Sequence, residues 1–90
     1  MSKHNIGDRI GAILSADETT VKLLGYGVYA GDEIPPSGFA HAVGITNPKL
    51  QLDDGSIVWG QECWWGSEQA VKNSIGDRTV VEVNAEGEPK

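Results

Sequence analysis

The chain has 90 residues, of which 39% are hydrophobic and 22% charged, a composition typical of one soluble globular domain. Seven basic and thirteen acidic residues give a net charge of −6, which repels a phosphate backbone and argues against general binding to DNA or RNA. We expect a single domain over residues 1–90, with an ordered core at about 6–83 and a frayed acidic tail at 84–90.

Membrane, metal and disulfide chemistry find no support in the sequence. It contains no apolar run of about 18 residues, and its first residues lack the apolar stretch of a signal peptide. We therefore expect a cytoplasmic protein that does not bind membranes. Cys63 is the single cysteine, and together with His4 and His41 it does not form a recognisable metal-ligand spacing. We expect no internal disulfide, no structural metal and no cofactor.

Glycines and prolines spread between β-forming residues predict a mainly β fold. In chain order, residues 9–14 predict a first strand, residues 15–18 a turn, and residues 19–29 a second strand. Gly25 and Gly27 interrupt that second strand. They favour a bulge that lets the sheet curl, with a flat backbone shelf under a ligand as the alternative.

The middle of the chain is the least regular part of the pattern. Residues 31–38 contain consecutive prolines flanked by glycines, which cannot continue a central strand and predict a loop. The mixed residues 39–44 predict a loop or a weak strand.

A hairpin is predicted at residues 49–59, with aspartate and glycine where its turn needs them. A four-residue loop would set Leu52 opposite Ile57 and Leu50 opposite Trp59. This register predicts a core face with Leu50, Leu52, Ile57, Trp59, Cys63 and Trp65, and a half-polar face with Lys49, Gln51, Val58, Glu62 and Trp64.

A helix of about two turns is predicted at residues 68–75, after Ser67 as the N-cap and before a glycine. Val71 and Ile75 lie four positions apart and would face the sheet, and we expect the helix to pack onto the tryptophan-rich hairpin. Residues 79–83 predict the last strand. The expected α+β, mainly β fold is a curled antiparallel sheet or SH3-like barrel of about five strands with one short helix.

Residues 59–68 hold all three tryptophans and the single cysteine. Aromatic residues here either form the core of a small domain or stack on a flat ring, with Gln61 or Glu62 bonding to the edge of a base. The predicted register places Trp64 outside the core and makes it the first candidate for stacking, although a bulge at Gly60 would reverse that assignment.

Arg9 and Arg78 each follow a Gly-Asp pair. They either pair with the adjacent carboxylates or converge across a subunit boundary to hold phosphates. Cys63 has no cationic neighbour that would lower its pKa, so we expect an inert thiol and no enzymatic activity. The predicted ligand-binding residues are Trp64, Tyr26, Arg9, Arg78, Glu62 and Lys49.

Three strings carry a resemblance to a known group of proteins. They are GDRIG at residues 7–11, TVKLLGYGVY at 20–29 and VWGQECWWGSE at 58–68. These strings resemble small orphan proteins encoded by tailed bacteriophages, over roughly residues 6–83. By analogy, the resemblance implies an anti-defence protein that acts in the host cytoplasm and sequesters a cyclic nucleotide made by bacterial immunity.

Two functions of different classes remain open. The first is a non-catalytic homo-oligomer that binds a nucleotide-like small molecule through aromatic and arginine side chains. The alternative is an acidic protein-interaction module that inhibits a host protein by occupying its cationic site.

Overall fold

Residues 4–90 are described by a computed structural model, in which six strands and two short helices build one curled sheet with helical connections. The strands are β1 (Arg9–Ala16), β2 (Thr20–Glu33), β3 (Asn47–Leu52), β4 (Ile57–Trp59), β5 (Trp64–Ser67) and β6 (Thr79–Glu82). The helices are α1 (Gly38–Val43) and α2 (Glu68–Ile75), and Gly60–Glu62 forms a 3-10 turn. The predicted α+β, mainly β fold with a small curled sheet is confirmed.

The long strand β2 organises the sheet. The strand order is β4-β3-β2-β1-β5, all antiparallel, and β6 pairs in parallel with the first residues of β2. The ladder between β1 and β2 shifts register opposite Gly25, which confirms the predicted bulge. A side chain on Gly27 would overlap the backbone of β3 at Gln51. The glycine therefore lets β2 and β3 approach closely and does not form an open shelf for a ligand.

Apolar side chains pack on both sides of this sheet because alternate residues of a strand point to opposite faces. One buried cluster lies under α2 and contains Ile13, Val21, Leu23, Val71 and Ile75. The other contains Ile10, Ala12, Leu24, Leu50, Leu52, Val58 and Val83. Helix α2 therefore packs on one face of β1 and β2, and the buried side chains of the hairpin lie on the other face of the sheet.

Helix α2 has the predicted bounds and the predicted buried face. The Ser67 hydroxyl accepts a hydrogen bond from the backbone N–H of Ala70 at 3.1 Å, and Val71 and Ile75 are buried. The expected packing partner is wrong, because α2 lies mainly on β1 rather than on the hairpin. The reason is that β5 runs antiparallel to β1 and pairs Ser67 with Ile10, so a helix starting there returns over β1.

The hairpin turn is one residue shorter than predicted. The backbone N–H of Leu52 donates to the Ser56 carbonyl, and the N–H of Gly55 donates to the Leu52 carbonyl, both at 2.9 Å. Gly55 has φ = 92°, the left-handed conformation that closes a three-residue hairpin loop with a bulge. This change in loop length shifts the register of the two strands by one residue.

The shifted register corrects the predicted hairpin faces. Leu50 pairs with Val58 instead of Trp59, so Val58 is buried in the core while Ile57 is 40% exposed. Trp59 is half-buried and lies outside the main cluster. Cys63 and Trp65 pack against that cluster, as predicted, because the 3-10 turn resets the alternation before β5.

The middle of the chain also differs from its prediction. Strand β2 continues to Glu33, where it pairs with Asn47, and residues 39–43 belong to α1 rather than to a loop or weak strand. Gly44, with φ = 73°, ends this helix and donates to two helical carbonyls. Helix α1 buries none of its side chains.

Residues 84–90, predicted as a frayed tail, fold back against the sheet. The Asn84 side-chain oxygen accepts hydrogen bonds from the backbone N–H groups of Glu86 and Glu88, which makes a turn. The N–H of Lys90 then donates to the Glu82 carbonyl, and its ammonium lies 2.7 Å from a carboxylate oxygen of Asp54. This segment thereby covers the side of the hairpin turn.

Candidate functional site

Arg9 is held by two carboxylates that are distant in sequence. Its Nη1 and Nη2 each donate to Asp53 at 2.8 Å, and its Nε donates to Glu68 at 2.9 Å. The bonds to Asp53, and then to Glu68, raise the pKa of Arg9. The predicted pairing of Arg9 with its adjacent carboxylate is wrong, because Asp8 accepts from the backbone N–H of Asn5 and the carboxylates that bind Arg9 are distant in sequence. Arg9 thus joins β1, the hairpin turn and α2.

Arg78 binds backbone carbonyls instead of an anion. Its guanidinium donates to the carbonyls of Ser74, Ile75 and Asp17, at 2.6, 3.2 and 2.9 Å. The first two carbonyls belong to the last turn of α2, whose C-terminal groups have no helical partner. Arg78 caps α2 and attaches it to the turn between β1 and β2.

Tyr26 covers a glycine beneath α2. A side chain at Gly11 would meet the Tyr26 ring at 2.9 Å, and the Lys72 ammonium lies 5.4 Å from the centre of that ring. Lys49 has a different environment, with its ammonium 3.4 Å from a carboxylate oxygen of Glu33. These two predicted ligand residues therefore already have partners within the chain.

Trp64 lies outside the core, as predicted, with 52% of its surface exposed. It sits on the edge strand β5 opposite Ile13, whereas Trp59 and Trp65 are half-buried. Within residues 4–90, no hydrogen bond, ion pair or ring contact joins any two of the six predicted ligand residues. The structure does not bring them together into one site.

A cleft of about 420 Å³ lies between α1 with its preceding loop and the 3-10 turn after β4. Glu62 is the predicted ligand residue that lines it. The complete lining is Pro35, Pro36, Ser37, Gly38, Phe39, Ala40, Asn47, Trp59, Gln61 and Glu62. This set contains no lysine or arginine, so the cleft favours an uncharged or cationic group over a phosphate.

Asn47 lines this cleft and has a buried side-chain oxygen without a hydrogen-bond partner among residues 4–90. It begins β3, is 3% exposed, and its side-chain oxygen Oδ1 accepts no hydrogen bond from any residue between 4 and 90. A buried polar group without a partner destabilises a protein by about 1–3 kcal/mol. An N–H donor in the cleft would remove that penalty if the Asn47 amide turned its oxygen toward it.

Aromatic and polar side chains complete the cleft. Phe39 on α1 is 78% exposed, and Trp59 at the end of β4 is half-buried. Gln61 and Glu62 are exposed on the 3-10 turn and present an amide and a carboxylate. Flat apolar faces beside a few edge-binding polar groups are the features that bind planar rings.

Sequence reasoning found Gln61 and Glu62 but missed two residues of the cleft. Asn47 stands before a proline at the start of a strand, and nothing local indicates that its side chain is buried. Phe39 is the chain's single phenylalanine and lies in a segment without charged residues, a signal that was available. The predicted hairpin register places Trp59 in the core, and it differs from the observed register by one residue.

A second aromatic cavity is a weaker candidate. It has a volume of about 330 Å³ and is lined by His4, Tyr29, Asp32, Pro48 and Trp65. The rings of Tyr29 and Trp65 stack on each other at 5.8 Å, and the Tyr29 hydroxyl donates to Asp32 at 2.6 Å. These groups of the second cavity therefore have hydrogen-bond or stacking partners within the chain, whereas Asn47 Oδ1 has none among residues 4–90.

Cys63 lies close to the cleft, and its chemistry is unreactive. Burial, and then the charge of Glu62, raise the pKa of Cys63 to about 11. The thiol donates to the Trp59 carbonyl, with the sulfur 3.6 Å from the oxygen. A thiol in this state stays protonated at neutral pH and is a poor nucleophile.

Comparisons with known proteins found no relative of this chain. Protein-family models, curated proteins and solved structures all gave no match. Between residues 4 and 90, no helix is both long enough and apolar enough to cross a membrane. The cleft and its side chains are therefore the basis for a function.

Proposed function

We propose that this protein is a non-catalytic binding protein that holds a nucleotide-derived ligand by its base in the cleft between α1 and the 3-10 turn. The observation that carries this proposal is Asn47, a buried side chain in the cleft wall whose carbonyl oxygen lacks a donor. A base offers ring and exocyclic N–H groups that can supply it.

The remaining walls of the cleft suit a base as well. Stacking of one base on an aromatic side chain contributes about 1–3 kcal/mol, and Trp59 and Phe39 both line the cleft. The carboxylate of Glu62 accepts hydrogen bonds and can take two from adjacent N–H groups. Guanine presents two such groups side by side on one edge, so we propose guanine as the preferred base.

The phosphates of the ligand would remain in solvent. Arg9 and Arg78, which the sequence suggested as a phosphate clamp, are engaged by carboxylates and carbonyls of the chain itself. Among residues 4–90, the cleft lining adds no cation. Binding should therefore depend little on salt, because it lacks a charge-pair contribution.

The resemblance to small phage proteins supports a cellular role for this binding. A protein that holds a nucleotide without cleaving it would lower the free concentration of an immune signal in the cytoplasm of the host. We propose this sequestering role, in an anti-defence protein, as the biological function of the cleft.

Native mass spectrometry with cyclic mono-, di- and trinucleotides and cyclic ADP-ribose isomers tests the proposal. We expect the protein to gain the mass of an unhydrolysed guanine-containing member. The matched pair guanosine and inosine, measured by calorimetry, isolates the exocyclic amino group, and we expect guanosine to bind at least about tenfold more tightly.

Variants assign the binding to the cleft. Glu62→Gln and Phe39→Ala change exposed side chains, and we expect each to weaken binding about tenfold or more. Trp64→Ala removes an exposed aromatic outside the cleft and serves as the control, with unchanged affinity. The proposal fails if no panel member binds, or if Trp64→Ala abolishes binding while Phe39→Ala leaves it intact.

The net charge of −6 favours a second candidate, the acidic module that inhibits a host protein with a cationic site. Such association would weaken steeply with added salt, in contrast to a stacked base. A host protein that copurifies at low salt and is lost at high salt, with no nucleotide bound, would favour this alternative.

A further inference from the structure

The segment of residues 34–45, which contains α1, exposes four large apolar side chains to solvent. Ile34 is 48% exposed, Phe39 78%, Val43 50% and Ile45 45%. Phe39 and Val43 are four positions apart and therefore lie on the same face of α1. A helix this short is not stable by itself, so an exposed apolar face on it needs an explanation.

The same segment is electrically neutral. Residues 34–48 contain no aspartate, glutamate, lysine or arginine, although the chain as a whole has twenty such residues, thirteen acidic and seven basic. Residues 34–48 therefore contribute no charge of their own that would repel another acidic molecule.

We propose that the exposed apolar surface of residues 34–45 binds the same surface of a second copy of this chain, in a two-fold symmetric dimer. A two-fold interface brings one patch against itself, which an uncharged apolar patch tolerates and a charged patch does not. A cationic partner would be attracted to the acidic remainder of the surface. A lipid surface would attract basic residues, which residues 34–48 lack.

The dimer places the second copy next to the cleft, since Phe39 both lines the cleft and belongs to the proposed dimer interface. Val43 and Ile45 are exposed but do not line the cleft, so they test the interface separately from ligand binding. Dimerisation through these side chains does not require a bound ligand.

Sedimentation equilibrium of the full chain over a micromolar to millimolar series measures the dimer. We expect the wild type to reach twice its monomer mass. Val43→Lys and Ile45→Lys should raise the dimer dissociation constant by at least about tenfold, because each puts a charge into the interface. Val80→Lys is the matched control, since Val80 is 42% exposed on β6 and lies outside the segment.

Three results would overturn the proposal: a monomeric wild type throughout the series, an unchanged dimer in Val43→Lys and Ile45→Lys, or equal dissociation by Val80→Lys. Circular dichroism verifies that each variant is folded. Glu62→Gln should remain dimeric whether or not it binds a nucleotide, so a failed ligand proposal and a failed dimer proposal give different results.

Discussion

The two helices begin and end with the same local signals, yet they have opposite relations to the core. Both follow a serine and end at a glycine. In α2, Ser67 caps the helix and Val71 is buried, whereas in α1 Ser37 makes no side-chain cap and Val43 is exposed. Capping residues determine where a helix begins, but burial determines whether it stabilises the fold.

The largest expected contrast uses one valine from each helix. Val71→Ala removes methyl groups from a fully buried position and should lower the free energy of unfolding by about 2 kcal/mol. Val43→Ala should change it by less than about 0.5 kcal/mol in the monomer. Urea unfolding of dilute protein measures both, and equal effects would remove the distinction between the two helices.

The serines that precede the two helices should also differ in their effect on the free energy of unfolding, by a smaller amount. Ser67→Ala loses the bond from the Ala70 N–H and should lower the free energy of unfolding by about 1 kcal/mol. Ser37→Ala has no such bond to lose and should be close to neutral. If Ser37→Ala destabilised the protein as much as Ser67→Ala, then α1 would contribute to the fold in a way its exposure does not indicate.

Acid should also weaken the ion pairs that hold α2, and we expect this to change the free energy of unfolding less than the valine and serine substitutions do. Lys72 and then Arg9 lower the pKa of Glu68, the first residue of α2, and Arg9 lowers the pKa of Asp53. Because these pKa values are lowered on folding, the stabilisation is present at neutral pH. It is lost as the pH falls through the ordinary values of 4.5 and 3.8 toward the folded ones.

The urea midpoint followed from neutral to acidic pH measures this dependence. Glu68→Gln removes one of the titrating groups and should flatten the curve, and Glu18→Gln is a control because Glu18 forms no ion pair within residues 4–90. The total effect is small since Arg9 and Asp53 are largely exposed to solvent. Identical curves for wild type and Glu68→Gln would show that the ion pairs leave α2 unaffected.

Local sequence signals predicted those elements whose bounds depend on neighbouring residues. The bounds of α2 follow from Ser67 and the glycine after Ile75, and the bulge follows from Gly25. The hairpin was found, but its loop length was wrong by one residue, because both lengths suit the same aspartate and glycine. The chain adopts the register of the three-residue loop, in which Leu50 pairs with Val58.

The site was harder to predict because its residues depend on contacts between distant parts of the chain. Glu62 was identified from its place in the tryptophan cluster, and it does line the cleft. For Arg9 the sequence predicts either an adjacent carboxylate or a phosphate as the partner, since it does not show that Asp53 lies 2.8 Å away. The residues adjacent to Asn47 in the sequence likewise do not indicate that its side chain is buried.

The sequence by itself determined the mainly β class, the helix α2 and the hairpin, since capping and turn chemistry act over a few residues. The exposure of Trp64 agrees with its prediction because the 3-10 turn at Gly60–Glu62 offsets the one-residue error in the hairpin register. The tertiary structure alone decided which charges pair, which amide is buried without a donor, and which apolar residues stay exposed on α1. These properties depend on the three-dimensional packing of residues far apart in the chain, where burial and the loss of water set the energy of each group.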